Sequence, residues 1–226
     1  MSPINTPIFC YVTDRHSLDA PAGKSRERAL LERIGAALAA GVNWIQIREK
    51  DLETRRLFGL VCESIAISQA QAPQRDVRIL INDRADVSWA AGAAGVHLGE
   101  NSLPVRELVH ARGGSDRPDF LVGASCHSPQ GAVDAANHGA DYVFFGPIFS
   151  TPSKADFGPP QGVTKLAEVC HVVTIPVLAI GGITLENVAA CFDAGAAGIA
   201  AIRLFQQMPD WGNLMARLAR ACRRNR

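Results

Sequence analysis

Basic, hydroxyl, amide and acidic residues collect in short clusters along this chain, each placed at or just after the end of an apolar run. The first is Gln46-Ile47-Arg48-Glu49-Lys50, two cations and a carboxylate. Asn82-Asp83-Arg84, Ser125-Cys126-His127, a segment carrying Ser150, Thr151, Ser153 and Lys154, the pair Gly181-Gly182, and Arg203 follow in order. Arg48, Lys50 and Lys154 together suit a diphosphate, and Asp83 offers the hard oxygen that Mg²⁺ takes beside phosphate oxygens and water. Asp83 would serve equally well in an ordinary rim salt bridge to Arg84 or Arg48, and the residue types leave both readings open. Adjacent glycines let backbone N–H groups approach a phosphate, with Arg203 as a further charged contact, although a tight turn would need the same pair. His127 suits proton transfer, whereas His97, inside an apolar run, is as well placed to pack as to line a site.

Elements able to bring such clusters together are visible in the pattern between them. Eight short β-rich runs begin at Ile8, Trp44, Arg78, Gly95, Leu121, Asp141, Ile175 and Gly198. Helix-length stretches separate them, and Leu30, Leu31, Ile34, Ala37 and Leu38 show the helical apolar period. A similar phrase precedes every second strand, with Gly41, Gly92, Gly139 and Gly195 at intervals of about fifty residues. Glycine there ends a helix in the left-handed conformation at little steric cost. The repeat predicts an α/β fold, a (β/α)₈ TIM barrel occupying residues 1–226 as a single domain; a doubly wound open sheet is the alternative. In a barrel, chemistry gathers at the strand C-terminal ends, and the loops after strands seven and eight commonly hold phosphate. Residues 150–162, with three prolines and two glycines, predict a lid or a static surface loop over that mouth.

Composition excludes several other classes of function. Of 226 residues, 23 are Lys or Arg and 22 Asp or Glu, a net charge of +1, which argues against a general grip on nucleic acid or an acidic membrane. The arginines near the C-terminus, Arg217, Arg220 and Arg224, fit the solvated face of a helix whose other face is apolar. No apolar run reaches the roughly 20 residues of a membrane helix, and the opening residues lack a basic-then-apolar leader. The six cysteines are scattered without metal or disulfide spacing, as suits buried thiols in a reducing cytoplasm.

The motifs QIREK, LINDR, GVHLG, GASCHS, GPIFSTPSK and AIGGIT, in that order from Tyr11 to Phe205, resemble the superfamily of thiamine phosphate synthase and the TenI thiazole tautomerase. The resemblance implies a cytoplasmic enzyme of thiamine biosynthesis that joins a hydroxymethylpyrimidine diphosphate to a thiazole phosphate with Mg²⁺ as cofactor, and a possible homo-oligomer. It implies that Gln46, Arg48, Lys50, Asn82 and Lys154 hold the pyrimidine diphosphate and that Asp83 binds Mg²⁺. Ser125 would stand near the reacting pyrimidine, and Thr151, Ser153 and Gly182 would meet the thiazole phosphate, beside Gly181 and Arg203. Two positions depart from the synthase pattern: Ser102 stands where a second metal-binding aspartate is usual, and Arg203 where serine is usual. Ser102 resembles the tautomerase branch, in which a histidine matching His127 moves the proton. Synthase, tautomerase acting on a thiazole carboxylate phosphate, and a non-catalytic binder of phosphate ligands are the expectations in that order.

Overall fold

The computed structural model describes residues 6–19, 23–151 and 159–223. All eight expected strands form: β1 (Ile8–Val12), β2 (Trp44–Ile47), β3 (Arg78–Asn82), β4 (Gly95–Leu98), β5 (Leu121–Cys126), β6 (Tyr142–Phe145), β7 (Val177–Ile180) and β8 (Gly198–Ala201). Each pairs in parallel with its sequence neighbours, and β8 returns to β1. The sheet is therefore a closed barrel and not the open alternative.

Helices cover the outside: α1 (Arg26–Ala40), α2 (Thr54–Gln71), α3 (Ala85–Ala90), α4 (Val105–Gly113), α5 (Pro129–Asn137), α6 (Gly162–Val172), α7 (Val188–Asp193), α8 (Arg203–Gln206) and α9 (Trp211–Arg223). The periodic stripe Leu30, Leu31, Ile34, Ala37 and Leu38 is the buried face of α1. Ser25 starts that helix by accepting the Arg28 N–H at 3.2 Å. The four repeat glycines all stand in the left-handed region, with φ between 72° and 115°.

Strand alternation divides the core in two. Phe9, Ile45, Ile79, Val143 and Phe145 face outward onto the helices, whereas Cys10, Trp44, Leu80, Tyr142, Phe144 and Leu178 fill the lumen. One crowded position there has a single solution. Gly123 on β5 is in register with His97 on one side and Tyr142 on the other. The Tyr142 ring lies across it, so that an added Cβ would stand 2.0 Å from Cζ of that ring.

Closure also joins residues far apart in sequence. Across a separation of 195 residues, the Tyr11 hydroxyl donates to Gln206 Oε1 at 3.1 Å. The Gln206 amide donates in turn to Asp14 O and to Ser17 Oγ. Arg33 of α1 donates to Phe205 O at 2.7 Å and Met208 O at 2.6 Å, with its guanidinium over the Trp211 ring.

Gly123→Ala is expected to lower the unfolding free energy by about 1–3 kcal/mol or more through overpacking. Gly59 of α2, with nothing within 4 Å of an added Cβ, is the control. Gly59→Ala should instead stabilise by up to about 1 kcal/mol, because alanine is the better helix former. Urea unfolding midpoints of the two variants test this pair of opposite shifts.

Candidate active site

The rim at the strand C-terminal ends is built on a buried ion pair. Glu49 follows β2, but it does not reach the mouth as its place between Arg48 and Lys50 suggested. Its side chain is 1% exposed and lies behind the rim, where it accepts from the Thr13 hydroxyl at 2.6 Å and from Arg15 Nη1 at 3.0 Å. The Arg15 backbone N–H also donates to it. Thr13 Oγ1 accepts the Arg48 N–H at 2.9 Å, so one buried carboxylate ties the ends of β1 and β2 together. Arg15 reaches onward to Asp51, and that hydrogen-bonded guanidinium holds the Asp51 carboxyl far below the usual carboxylate range. Arg48 and Lys50 stand on the segment so fixed.

From β2 a line of hydrogen bonds crosses the mouth. Gln46, buried in the lumen, donates from Nε2 to Asn82 Oδ1 at 3.0 Å, and Asn82 donates from Nδ2 to Asp83 Oδ2 at 2.7 Å. Asp83 has φ 60°, the one non-glycine residue in the left-handed region among the described residues. A backbone in that region carries strain for a side chain and persists where its surroundings impose it. Here the Gly99 N–H and the Ser102 hydroxyl both donate to Asp83 Oδ1. The salt bridge left open by the sequence is not built: Arg84 pairs with Asp86 at 2.6 Å, and no cation lies at ion-pair distance from Asp83 among the described residues.

Further round the rim, His97 of β4 points into the lumen, with Nε2 at 2.9 Å from Ser125 Oγ and Nδ1 at 3.2 Å from the Tyr142 hydroxyl. His127, after β5, holds Nδ1 against Gly146 O, which leaves Nε2 as the nitrogen facing the Glu100 carboxylate at 3.9 Å. Glu100 thus faces His127. Among the described residues no three His, Cys, Asp or Glu side chains converge into a ready-made metal cage. An ion at Asp83 would have to draw most of its ligands from phosphate oxygens and water, the usual habit of Mg²⁺.

A cavity of about 520 Å³ lies at the ends of β6, β7 and β8, and its lining includes Thr151, Gly181, Gly182 and Arg203 together with the apolar Ile183 and Met208. Gly181 and Gly182 have φ 94° and 66°, and a Cβ on Gly182 would meet Ser150 O at 2.6 Å. Packing against the loop after β6 therefore already requires this pair, so its presence alone was an ambiguous sign. Arg203 Nη2 donates to Thr151 Oγ1 at 2.6 Å. Arg48, Lys50 and Arg203 have no carboxylate at ion-pair distance among the described residues, and the rim keeps positive charge for an anion. Ser153 and Lys154, with most of the expected lid, lie outside the described residues.

Sequence reasoning missed Tyr142, Arg15 and Thr13 and gave His97 too little weight. The signal was strand parity: Asn82 and His97 are register partners on adjacent strands, so an inward Asn82 implies an inward His97.

Comparison with known proteins follows the same residues. A family profile described as thiamine monophosphate synthase matches residues 10–205. The thiamine-phosphate synthase of Methanoculleus marisnigri is 44% identical over 184 residues, covering 81% of this chain and 82% of that protein. The thiamine-phosphate synthase of Roseiflexus castenholzii is 38% identical over 208 residues, covering 92% and 85%. Among solved structures, a thiamine phosphate pyrophosphorylase from Pyrococcus furiosus superposes with a TM-score of 0.81 at 27% identity, covering 98% of each chain.

The buried pair under the rim gives a measurable contrast. Glu49→Ala leaves Arg15 without its buried partner and is expected to cost about 3–5 kcal/mol in urea unfolding. Asp51→Ala removes a carboxylate that is 55% exposed, and solvent screening makes its loss clearly the smaller of the two. Equal losses in the two variants would show that the buried carboxylate is not the anchor.

Proposed function

The chain belongs to the thiamine monophosphate synthase family, and from that membership we propose that it joins a hydroxymethylpyrimidine diphosphate to a thiazole phosphate, releasing diphosphate. The observation that carries the reading is the strained Asp83 carboxylate, held by Asn82, Gly99 and Ser102 and, among the described residues, without a cation at ion-pair distance, beside Arg48, Lys50 and Arg203, which have no carboxylate at that distance among the same residues. A carboxylate so held among cations suits a metal-neutralised diphosphate, and isomerising a thiazole would not need it.

In this reading Gln46, Arg48, Lys50 and Asn82, with Lys154, hold the pyrimidine diphosphate. The C–O bond to the diphosphate breaks with both electrons leaving on oxygen, and the thiazole ring nitrogen then forms the new bond to the pyrimidine methylene carbon. Arg48, Lys50 and Lys154 stabilise the charge that builds on the leaving group. Ser125 faces the reacting pyrimidine. Thr151, Ser153, Gly181, Gly182 and Arg203 hold the thiazole phosphate, whose ring meets the apolar residues of the cavity lining. Asp83 would hold Mg²⁺ through one carboxylate, with the Ser102 hydroxyl beside it; when bound, the ion neutralises the diphosphate.

A second reading, the thiazole tautomerase, is favoured by Ser102 and by the His127 imidazole, whose Nδ1 is turned to Gly146 O. Metal dependence separates the two. Synthase activity should need Mg²⁺, fall nearly to zero in Asp83→Asn, and gain metal affinity in Ser102→Asp. Isomerisation of a thiazole carboxylate phosphate that persists in EDTA, without thiamine phosphate formation, would overturn the synthase reading. Arg203→Ala should raise KM for the thiazole phosphate by a factor corresponding to about 1.5–3 kcal/mol. Unchanged thiazole kinetics would remove Arg203 from the phosphate site.

A further inference from the structure

Side chains from three successive strands form one line within the lumen: Tyr142 on β6, His97 on β4 and Ser125 on β5. Gly123 makes the line possible, because the tyrosine ring crosses the space where a side chain on β5 would stand. The imidazole is packed with its centroid 4.0 Å from that of Phe144.

The buried end fixes the direction of hydrogen-bond donation. Tyr142 is 1% exposed, and among the described residues His97 Nδ1 is the hydrogen-bond partner of its hydroxyl. A phenol O–H left without an acceptor in the interior is strongly disfavoured. Burial also pushes the phenol well above its ordinary range, so the proton stays on oxygen at neutral pH. The O–H therefore donates to Nδ1. A neutral imidazole that accepts at Nδ1 carries its own proton on Nε2, and Nε2–H then donates to Ser125 Oγ. With Nε2 acting as donor, the serine O–H cannot be spent on the imidazole and is left for the mouth.

We propose that Tyr142 and His97 are positioning residues that commit the Ser125 hydroxyl to donating toward the bound ligand. Ser125 then recognises an acceptor atom, a phosphate oxygen or an unprotonated ring nitrogen, and His97 does not draw the serine proton to make it a base. That this ligand is the pyrimidine diphosphate rests on the function proposed above; the direction of the line does not.

The test begins with a readout independent of activity. In ligand-free, ¹⁵N-histidine-labelled protein at pH 8, with the His97 signals assigned by their loss in His97→Gln, the Nε2-protonated tautomer is expected. Tyr142→Phe keeps the ring over Gly123 and removes the donor, so the Nδ1-protonated form should become populated. A wild-type His97 protonated on Nδ1, or on both nitrogens, overturns the proposal. In turnover, Tyr142→Phe and Ser125→Ala should each lower kcat for thiamine phosphate formation about tenfold, the effect of losing one hydrogen bond. KM for the thiazole phosphate should not change. The double variant should be no slower than Ser125→Ala alone, and full multiplication of the two effects would overturn the coupling. If no thiamine phosphate forms at all, the proposed function fails, and the tautomer measurement alone decides this inference.

Discussion

A β-strand closed into a barrel has two directions in which to send a side chain, and the polar line inside this mouth follows from which residues drew the inward one. Register across parallel neighbours makes the choice collective. Once Leu80 and Asn82 point inward on β3, Gln46 on β2 and His97 on β4 are carried inward with them. The polar residues on this face cluster toward the C-terminal ends of the strands, with apolar residues such as Cys10, Trp44 and Leu178 deeper along the lumen. Moving one strand by one residue would replace its inward polar group with an aliphatic one and break the line from Gln46 to Asp83.

Charge is sorted by pairing. Carboxylates near the rim are mostly engaged: Glu49 and Asp51 with Arg15, Glu27 with Arg56, and Asp86 with Arg84. Arg48, Lys50 and Arg203 on the rim itself have no carboxylate at ion-pair distance among the described residues. Gathered round one mouth these positive groups act together on an incoming anion, whereas the same number of arginines scattered over the surface would be screened within about a Debye length. Net charge, near zero, conceals this separation completely.

Much of this was legible in the residues. Eight apolar runs and a recurring glycine pointed to the barrel, because each βαβα unit repeats the same local conflict between a helix end and a strand start; closure against the open-sheet alternative came from the pairing of β8 with β1. The ordered motifs pointed to the family, and Gln46, Asn82, Ser125 and Gly181 stand at or just after strand ends, while Ser153 and Lys154 lie outside the described residues. Glu49 was misread because chain adjacency to Arg48 and Lys50 says nothing about direction where a strand gives way to a loop and alternation stops being binding. Tyr142 was invisible for a different reason. Its role depends on an absent side chain at Gly123 on another strand, and no local pattern records that. The glycine pair at 181 and 182 was ambiguous since packing and ligand approach demand the same backbone.

Pairing of β1 with β8 closes the barrel, and hydrogen bonds linking Tyr11 and Asp14 to Gln206 fasten the seam. As the chain leaves the ribosome, β1 therefore emerges with one edge that cannot be covered until some 190 residues later, when β8 and Gln206 arrive. Seven strands can pair in order during that interval, yet the first edge stays open as a template for the wrong partner. Arg33 and the loop it grips after α8 are likewise joined last. A chain lacking the final βα unit would carry most of the rim residues and an uncovered edge on β1. Closure of this fold is thus a late event in the order of the chain, because the partner of the first strand is the last one.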